Sequence, residues 1–180
     1  ALHGIAPHRG ILLSDAPPIL SGIAMVAALP SSACPLCAPQ GESLLVEGGD
    51  WRIISAEEPD YPGFLRVIWR RHVAEMSDLA EDERQRLMAV VWACERVVRR
   101  LYAPDKINLA SLGNMVPHLH WHIIPRWRDD PTFPGAIWAP RRGDGIQASP
   151  RSAVDAAALR QALQTELAAL RPSLVGVQPG

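Results

Sequence analysis

Segment 117–125 limits the fold of this chain more than any other part of the sequence; it reads PHLHWHIIP. Three of the chain's six histidines, His118, His120 and His122, occupy alternate positions in it. Because side chains two residues apart on a β-strand point to the same face, we expect these imidazoles to form a row, about 6.6 Å apart. The apolar residues between them then face a core.

Packing alone does not account for such a row, because neighbouring imidazoles lose hydration when buried and repel each other when charged. The structural alternative is the solvated face of an edge strand. A neutral imidazole is a nucleophile near neutral pH, since its usual pKa is about 6.5. One ring can attack a phosphoryl group while its neighbours manage protons. The row therefore favours a phosphoryl-transfer site.

Hydrophobic patterning predicts an α+β fold with about five antiparallel strands, one long central helix and a C-terminal helix. Strands are expected at 44–46, 52–55, 64–69, 107–112 and 117–124. Pro125 is expected to end the fifth strand. Residues 78–81 read as a capping box that opens the long helix, which ends before Pro104. Ser149 and Pro150 are expected to start the second helix.

The length of 180 residues predicts a single folded domain with extensions. We expect an N-terminal extension over 1–30, the main domain over 31–148, a C-terminal helix over 149–172 and a tail over 173–180. The net charge of −1 argues against nucleic acid or a membrane surface as a partner. Three cysteines are too few for a disulfide framework and fit a reduced, cytoplasmic protein.

The HLHWHII segment at 118–124 resembles the signature of the histidine triad superfamily of nucleotide hydrolases and transferases, and matches it at every position. The order of elements from Cys34 to Trp138 also resembles that family. Segments 112–117 and 128–135 look like a bacterial branch often labelled diadenosine-polyphosphate-hydrolase-like. The resemblance implies the HIT-like form of the α+β fold predicted above.

The resemblance also implies a role for each histidine. His120 would attack the α-phosphorus and carry the nucleotidyl group, His122 would contact phosphate oxygens and assist the leaving group, and His118 would orient the site through hydrogen bonds. The implied substrate is a purine nucleotide or dinucleotide, such as a dinucleoside polyphosphate or a nucleoside phosphoramidate, and the product is a nucleoside monophosphate. The uridylyl-transferring branch has glutamine in the third position, so His122 implies hydrolysis. The resemblance further implies that catalysis needs no cofactor and that the chain forms a homodimer, as relatives usually do.

Two asparagines are candidates for substrate binding. Asn114 precedes the triad by four residues, where its amide can donate to a phosphate, and Asn108 is the second candidate. The alternative for both residues is turn formation or local capping, and Asn108 is the weaker candidate. Many relatives have a serine or threonine just before the triad, whereas residues 113–118 of this chain contain neither. A hydroxyl donor to the leaving group is thus missing or comes from elsewhere, which puts the identity of the substrate and the rate in question.

Cys34 and Cys37 have the spacing of half a tetrahedral zinc site. Some family members complete such a site with a histidine after the third strand and with the first triad histidine, which here are His72 and His118. The resemblance thus implies a structural zinc ion. The alternative is that the cysteines are small buried residues and that His72 caps a strand.

Two other functions remain open from the sequence. The histidine row can instead bind a catalytic metal, although no glutamate lies between His122 and the C-terminal helix. The chain can also be a nucleotide-binding regulatory module with little turnover. After the triad, Trp127 and Trp138 can line a base pocket or be buried, and Arg126 and Arg128 can contact phosphates or lie at the surface.

Overall fold

Five strands form one antiparallel sheet in the order β1-β2-β3-β5-β4. They are β1 (Ser43–Glu47), β2 (Trp51–Ser55), β3 (Leu65–Trp69), β4 (Lys106–Ser111) and β5 (His120–Arg126). The computed structural model describes residues 33–143, 151 and 154–170. The predicted extension over 1–30, the Ser149–Pro150 helix start and the tail over 173–180 therefore lie outside the described residues. The predicted fold class is confirmed.

Two helices, α1 (Glu81–Tyr102) and α2 (Ala156–Ala168), cover one face of the sheet. The apolar stripe of α1 packs on side chains such as Leu65, Val67 and Ile123, all fully buried. The helix α2 packs on α1 and β1, and its Glu166 pairs with Arg96 and Arg100 of α1. Among the described residues, no helix combines the length and apolarity that crossing a bilayer requires.

The capping box of α1 lies two residues further along the chain than the predicted one at 78–81. The N-cap is Ala80, whose N–H donates to the Glu83 carboxylate at 2.8 Å. Asp78 instead accepts from the N–H of Glu75, at the start of a separate 3₁₀ turn over Met76–Asp78. Asp78 and Glu83 both suit the N-terminus of a helix, but Asp78 accepts at the start of the 3₁₀ turn and only Glu83 accepts at the start of α1. The predicted limits of α2, 149–172, were wrong: its N-cap is Asp155, whose carboxylate accepts from the N–H of Ala158, and the helix runs over Ala156–Ala168.

The predicted limits of β5 were wrong at both ends. A tight turn, in which the N–H of His118 donates to the carbonyl of Val116, delays the strand until His120. At the other end β5 continues through Pro125 to Arg126. Proline is tolerated there because the register with β3 ends at Ile123, so only β4 pairs with this part of β5.

The second face of the sheet is not covered by the helices. Because strand side chains alternate, His120 and His122 point away from the helix-covered core that holds Ile123. A small second cluster of Tyr61, Phe64 and Ile124 packs on this open face. The face therefore carries the polar side chains that the main core excludes.

Candidate active site

The ring of His120 is held by a main-chain acceptor. Its Nδ1 lies 2.6 Å from the carbonyl oxygen of His118. Because a carbonyl oxygen only accepts, Nδ1 carries the proton and Nε2 keeps its lone pair. Burial, and after it the charge of Arg66, lowers the pKa of His120, while the hydrogen bond to His118 acts in the opposite direction. The ring is thus a neutral imidazole whose Nε2 is free to act as a nucleophile.

The ring of His122 lies beside that of His120, with 4.8 Å between the ring centroids. Only 5% of His122 is exposed, yet neither of its nitrogens has a hydrogen-bond partner among the described residues. Burial, then the neighbouring His120, then Arg66 lower its pKa to about 4. Unpaired buried nitrogens are costly and typical of groups that bind a ligand.

The third histidine does not join the expected row. His118 precedes β5, in the tight turn at residues 116–118. Its fully buried ring points toward residues 34–37, which we call the N-terminal loop. Its Nε2–H donates to the carbonyl of Trp69 at 2.6 Å. Its Nδ1 lies 3.4 Å from the Sγ atoms of Cys34 and Cys37. Of the three triad imidazoles, only those of His120 and His122 therefore share the open face, and His118 contributes its carbonyl to the site.

Four predicted metal ligands meet at this point. The ligand atoms of Cys34, Cys37, His72 and His118 lie within 4.8 Å of one another. The Nδ1 atoms of the two histidines are 3.2 Å apart. Tetrahedral zinc places its nitrogen and sulfur ligands roughly 3.3–3.8 Å from one another. Burial, followed by the neighbouring Cys34, raises the pKa of Cys37. The residues fit zinc, which would stabilise the thiolates that burial disfavours.

A cavity of about 490 Å³ opens at the two facing imidazoles. Its lining consists of Leu36, Arg66, residues 112–116, His120, His122 and Trp138. The indole of Trp138, which is 60% exposed, stands at 5.9 Å from the ring of His122. Among the described residues, this lining contains no aspartate, glutamate, serine or threonine, so its formal charge is positive and it offers no hydroxyl donor.

The two asparagines predicted to bind substrate are separated by the structure. Asn114 lines the cavity. Asn108 lies on β4 and does not line it; its side-chain oxygen accepts from Arg126 at 3.0 Å. Arg126 itself is only 2% exposed and forms a bidentate pair with Asp130. The guanidinium of Arg126 is therefore paired with Asp130 inside the protein, and Arg126 is neither a surface residue nor a candidate phosphate contact.

Sequence reasoning missed Arg66, because the strand that contains it is otherwise apolar. Arg66 lies directly opposite His122 in the β3–β5 register. The signal that points to it is alternation: Arg66 is the single charged residue in a strand whose neighbours Leu65 and Val67 are fully buried. A charge on the opposite face of such a strand marks the polar face of the sheet.

Comparisons with known proteins identify the family of the chain. The HIT domain family model matches residues 40–129, which is half of the chain. A Mycobacterium tuberculosis protein named AP-4-A phosphorylase is 35% identical over 81 residues, which are 42% of this chain and 42% of that protein. A Saccharomyces cerevisiae protein named bis(5'-adenosyl)-triphosphatase is 35% identical over 77 residues, which are 39% of this chain and 37% of that protein. The match thus spans less than half the length of these relatives.

A solved structure of a zinc-bound histidine triad family protein from Mycobacterium smegmatis is also similar. Its sequence is 25% identical, the TM-score is 0.51, and the match covers 78% of this chain and all of that chain. The similarity supports the fold and identifies a related protein that holds zinc.

Proposed function

The chain belongs to the histidine triad family, and we propose that it cleaves a nucleotide at the α-phosphate through a nucleotidyl-histidine intermediate. The observation that carries this proposal is the hydrogen bond from Nδ1 of His120 to the carbonyl of His118. That bond leaves the lone pair of Nε2 at a cavity that a phosphate can enter. The substrates named in the two relatives, diadenosine polyphosphates, support the same chemistry.

The reaction proceeds in two displacements. Nε2 of His120 attacks the α-phosphorus, an N–P bond forms, and the bond from phosphorus to the bridging oxygen breaks. The leaving phosphate departs with that electron pair. Water, or inorganic phosphate as the name of one relative indicates, then attacks the same phosphorus, and the N–P bond breaks to release the nucleotide. The electron pair of that bond returns to Nε2, which becomes neutral again, and the proton that an attacking water loses passes to the solvent.

His122 and Asn114 assist by donating hydrogen bonds. A neutral His122 carries one N–H, its nitrogens have no partner among the described residues, and the residue lines the cavity beside His120. It donates to the bridging oxygen as the bond to phosphorus breaks. The amide of Asn114 is in the cavity lining and can donate to the same group. Asn108 has no supporting contact with the cavity.

A structural zinc ion in the cluster of Cys34, Cys37, His72 and His118 is part of the proposal. The ligand distances and the zinc-bound relative support it. The metal would stabilise the N-terminal loop that includes Leu36 and lines the cavity. Arg52 already ties this loop to the sheet, by donating to the carbonyl of Leu36 at 2.9 Å. No chemical step requires the metal.

We place the protein in the cytoplasm as a homodimer, without nucleic-acid or membrane partners. The three free cysteines and the net charge of −1 support the location and the absence of such partners. The end position of β4 in the sheet and the half-exposed Trp92 on α1 leave surface for a second copy. Light scattering of the purified chain tests the dimer directly, and a monomer at micromolar concentration contradicts it.

The activity is tested with diadenosine tetraphosphate in ¹⁸O-labelled water, with and without inorganic phosphate. We expect the label, or the added phosphate, on the α-phosphorus of one product. His120→Asn should reduce turnover by at least about 10⁴-fold while binding of the monophosphate persists. Binding without turnover in the wild type would favour the regulatory module, which the lack of a hydroxyl donor in the cavity keeps open.

A further inference from the structure

Arg66 stands at the junction of two cavities on the open face of the sheet. It lines the cavity at His120, and it also lines a neighbouring cavity of about 410 Å³ beside the N-terminal loop. Leu36 is the other residue that both cavities share. A ligand that extends from one cavity into the other therefore passes the guanidinium of Arg66.

Arg66 has no anionic partner in the described part of the chain. Other partly or fully buried arginines do: Arg52 pairs with Glu42, and Arg126 pairs with Asp130. The buried Nε of Arg66 has no hydrogen-bond partner among the described residues, and its recorded ring contact is with Phe64 at 5.6 Å. Arg66 is only partly buried, but its unpaired guanidinium lines both cavities, so its position favours a bound anion.

The positions of the neighbours identify the anion. Arg66 lies opposite His122 in the strand register, and directly opposed side chains have Cβ atoms roughly 4.5–5.5 Å apart. His122 in turn is 4.8 Å from His120 between ring centroids. The phosphoryl group that His120 attacks thus lies within reach of the guanidinium. The forked donors of arginine match two oxygens of one phosphate.

We propose that Arg66 binds the non-bridging oxygens of the phosphoryl group under attack and is the cation that stabilises it during transfer. The role of Arg66 in the transfer step rests on the proposed function, whereas its contact with a phosphate does not. Within the part of the chain that the structure describes, the lining of the cavity at His120 contains no other charged residue, so the charge that develops on the phosphoryl oxygens is otherwise met by neutral donors.

The contact is tested by binding, independently of turnover. Calorimetry measures the dissociation constants of AMP and of adenosine for the wild type, Arg66→Met, Arg66→Lys and Arg70→Met. Arg70 lies just beyond the same strand, exposed and paired with Glu47, and is the matched control. We expect the wild type and Arg70→Met to prefer AMP. Arg66→Met should lose about 10- to 100-fold of that preference, and Arg66→Lys should retain part of it.

Turnover then separates the two proposals. In Arg66→Met we expect kcat to fall by about 10²-fold or more. The wild type should also discriminate between the two α-phosphorothioate stereoisomers of the substrate, and Arg66→Met should lose that discrimination. An AMP preference unchanged in Arg66→Met, or absent from the wild type, overturns the role of Arg66. A preference that depends on Arg66 in a wild type without turnover supports the contact and refutes the proposed function.

Discussion

The carbonyl oxygen of His118 accepts the Nδ1 proton of His120 at 2.6 Å, so one residue joins the cysteine cluster to the proposed nucleophile. The ring of His118 faces Cys34 and Cys37, while its main chain fixes the tautomer of His120. The first triad histidine therefore acts through its backbone at the reacting centre and through its side chain at the cluster. The proposals for zinc and for catalysis meet at this residue and make separate predictions.

We predict one tightly bound zinc ion per chain, because the four ligand atoms of the cluster already lie at distances suited to a tetrahedral ion. Native mass spectrometry and metal analysis should find the ion in the wild type and lose it in a Cys34→Ser, Cys37→Ser double variant. Cys94→Ala is the control, because that thiol is buried in α1 and burial raises its pKa. Equal zinc content in the wild type and the double variant would refute the site.

Acid should destabilise the fold through His122. Its pKa is about 4 in the folded protein, compared with 6.5 ordinarily, chiefly because of burial. Between these pH values the unfolded chain binds more protons, so this contribution to stability is full above 6.5 and is lost as the pH falls toward 4. Between pH 7.5 and 5 the wild type should lose about 2 kcal/mol more unfolding free energy than His122→Asn. Urea denaturation measures this; equal losses would contradict the assigned pKa.

Much of this arrangement follows from local sequence. Alternation and three-to-four spacing predicted the five strands and α1, because both patterns reflect one buried face. The placement of His120 and His122 followed from the same rule. The orientation of His118 did not, because it depends on a turn at Pro117 and on a cysteine 84 residues away in the chain. Alternation marks Arg66 as a residue of the polar face, but its place beside His122 depends on the strand register, which local sequence does not give.

The buried pair of Arg126 and Asp130 should be a large contributor to stability. Asp130 is fully buried, and it also accepts from the backbone N–H groups of Trp127 and Thr132. Asp130→Ala leaves a buried, unpaired guanidinium and should cost about 3–5 kcal/mol of unfolding free energy. Asp60→Ala, which removes an exposed pair with Arg141, should cost less than about 1 kcal/mol. Similar losses of unfolding free energy in the two variants would contradict the prediction that the buried pair contributes more than the exposed one.

The most direct test of the account is to find the covalent bond that it requires. His122→Asn, which removes the neighbouring proton donor, is mixed with diadenosine tetraphosphate, quenched and analysed by intact and peptide mass spectrometry. The account predicts one adenylyl group on the chain, located on His120, and none when His120→Asn is added to the same variant. An adduct on another residue, or turnover retained in the single variant His120→Asn, would contradict it.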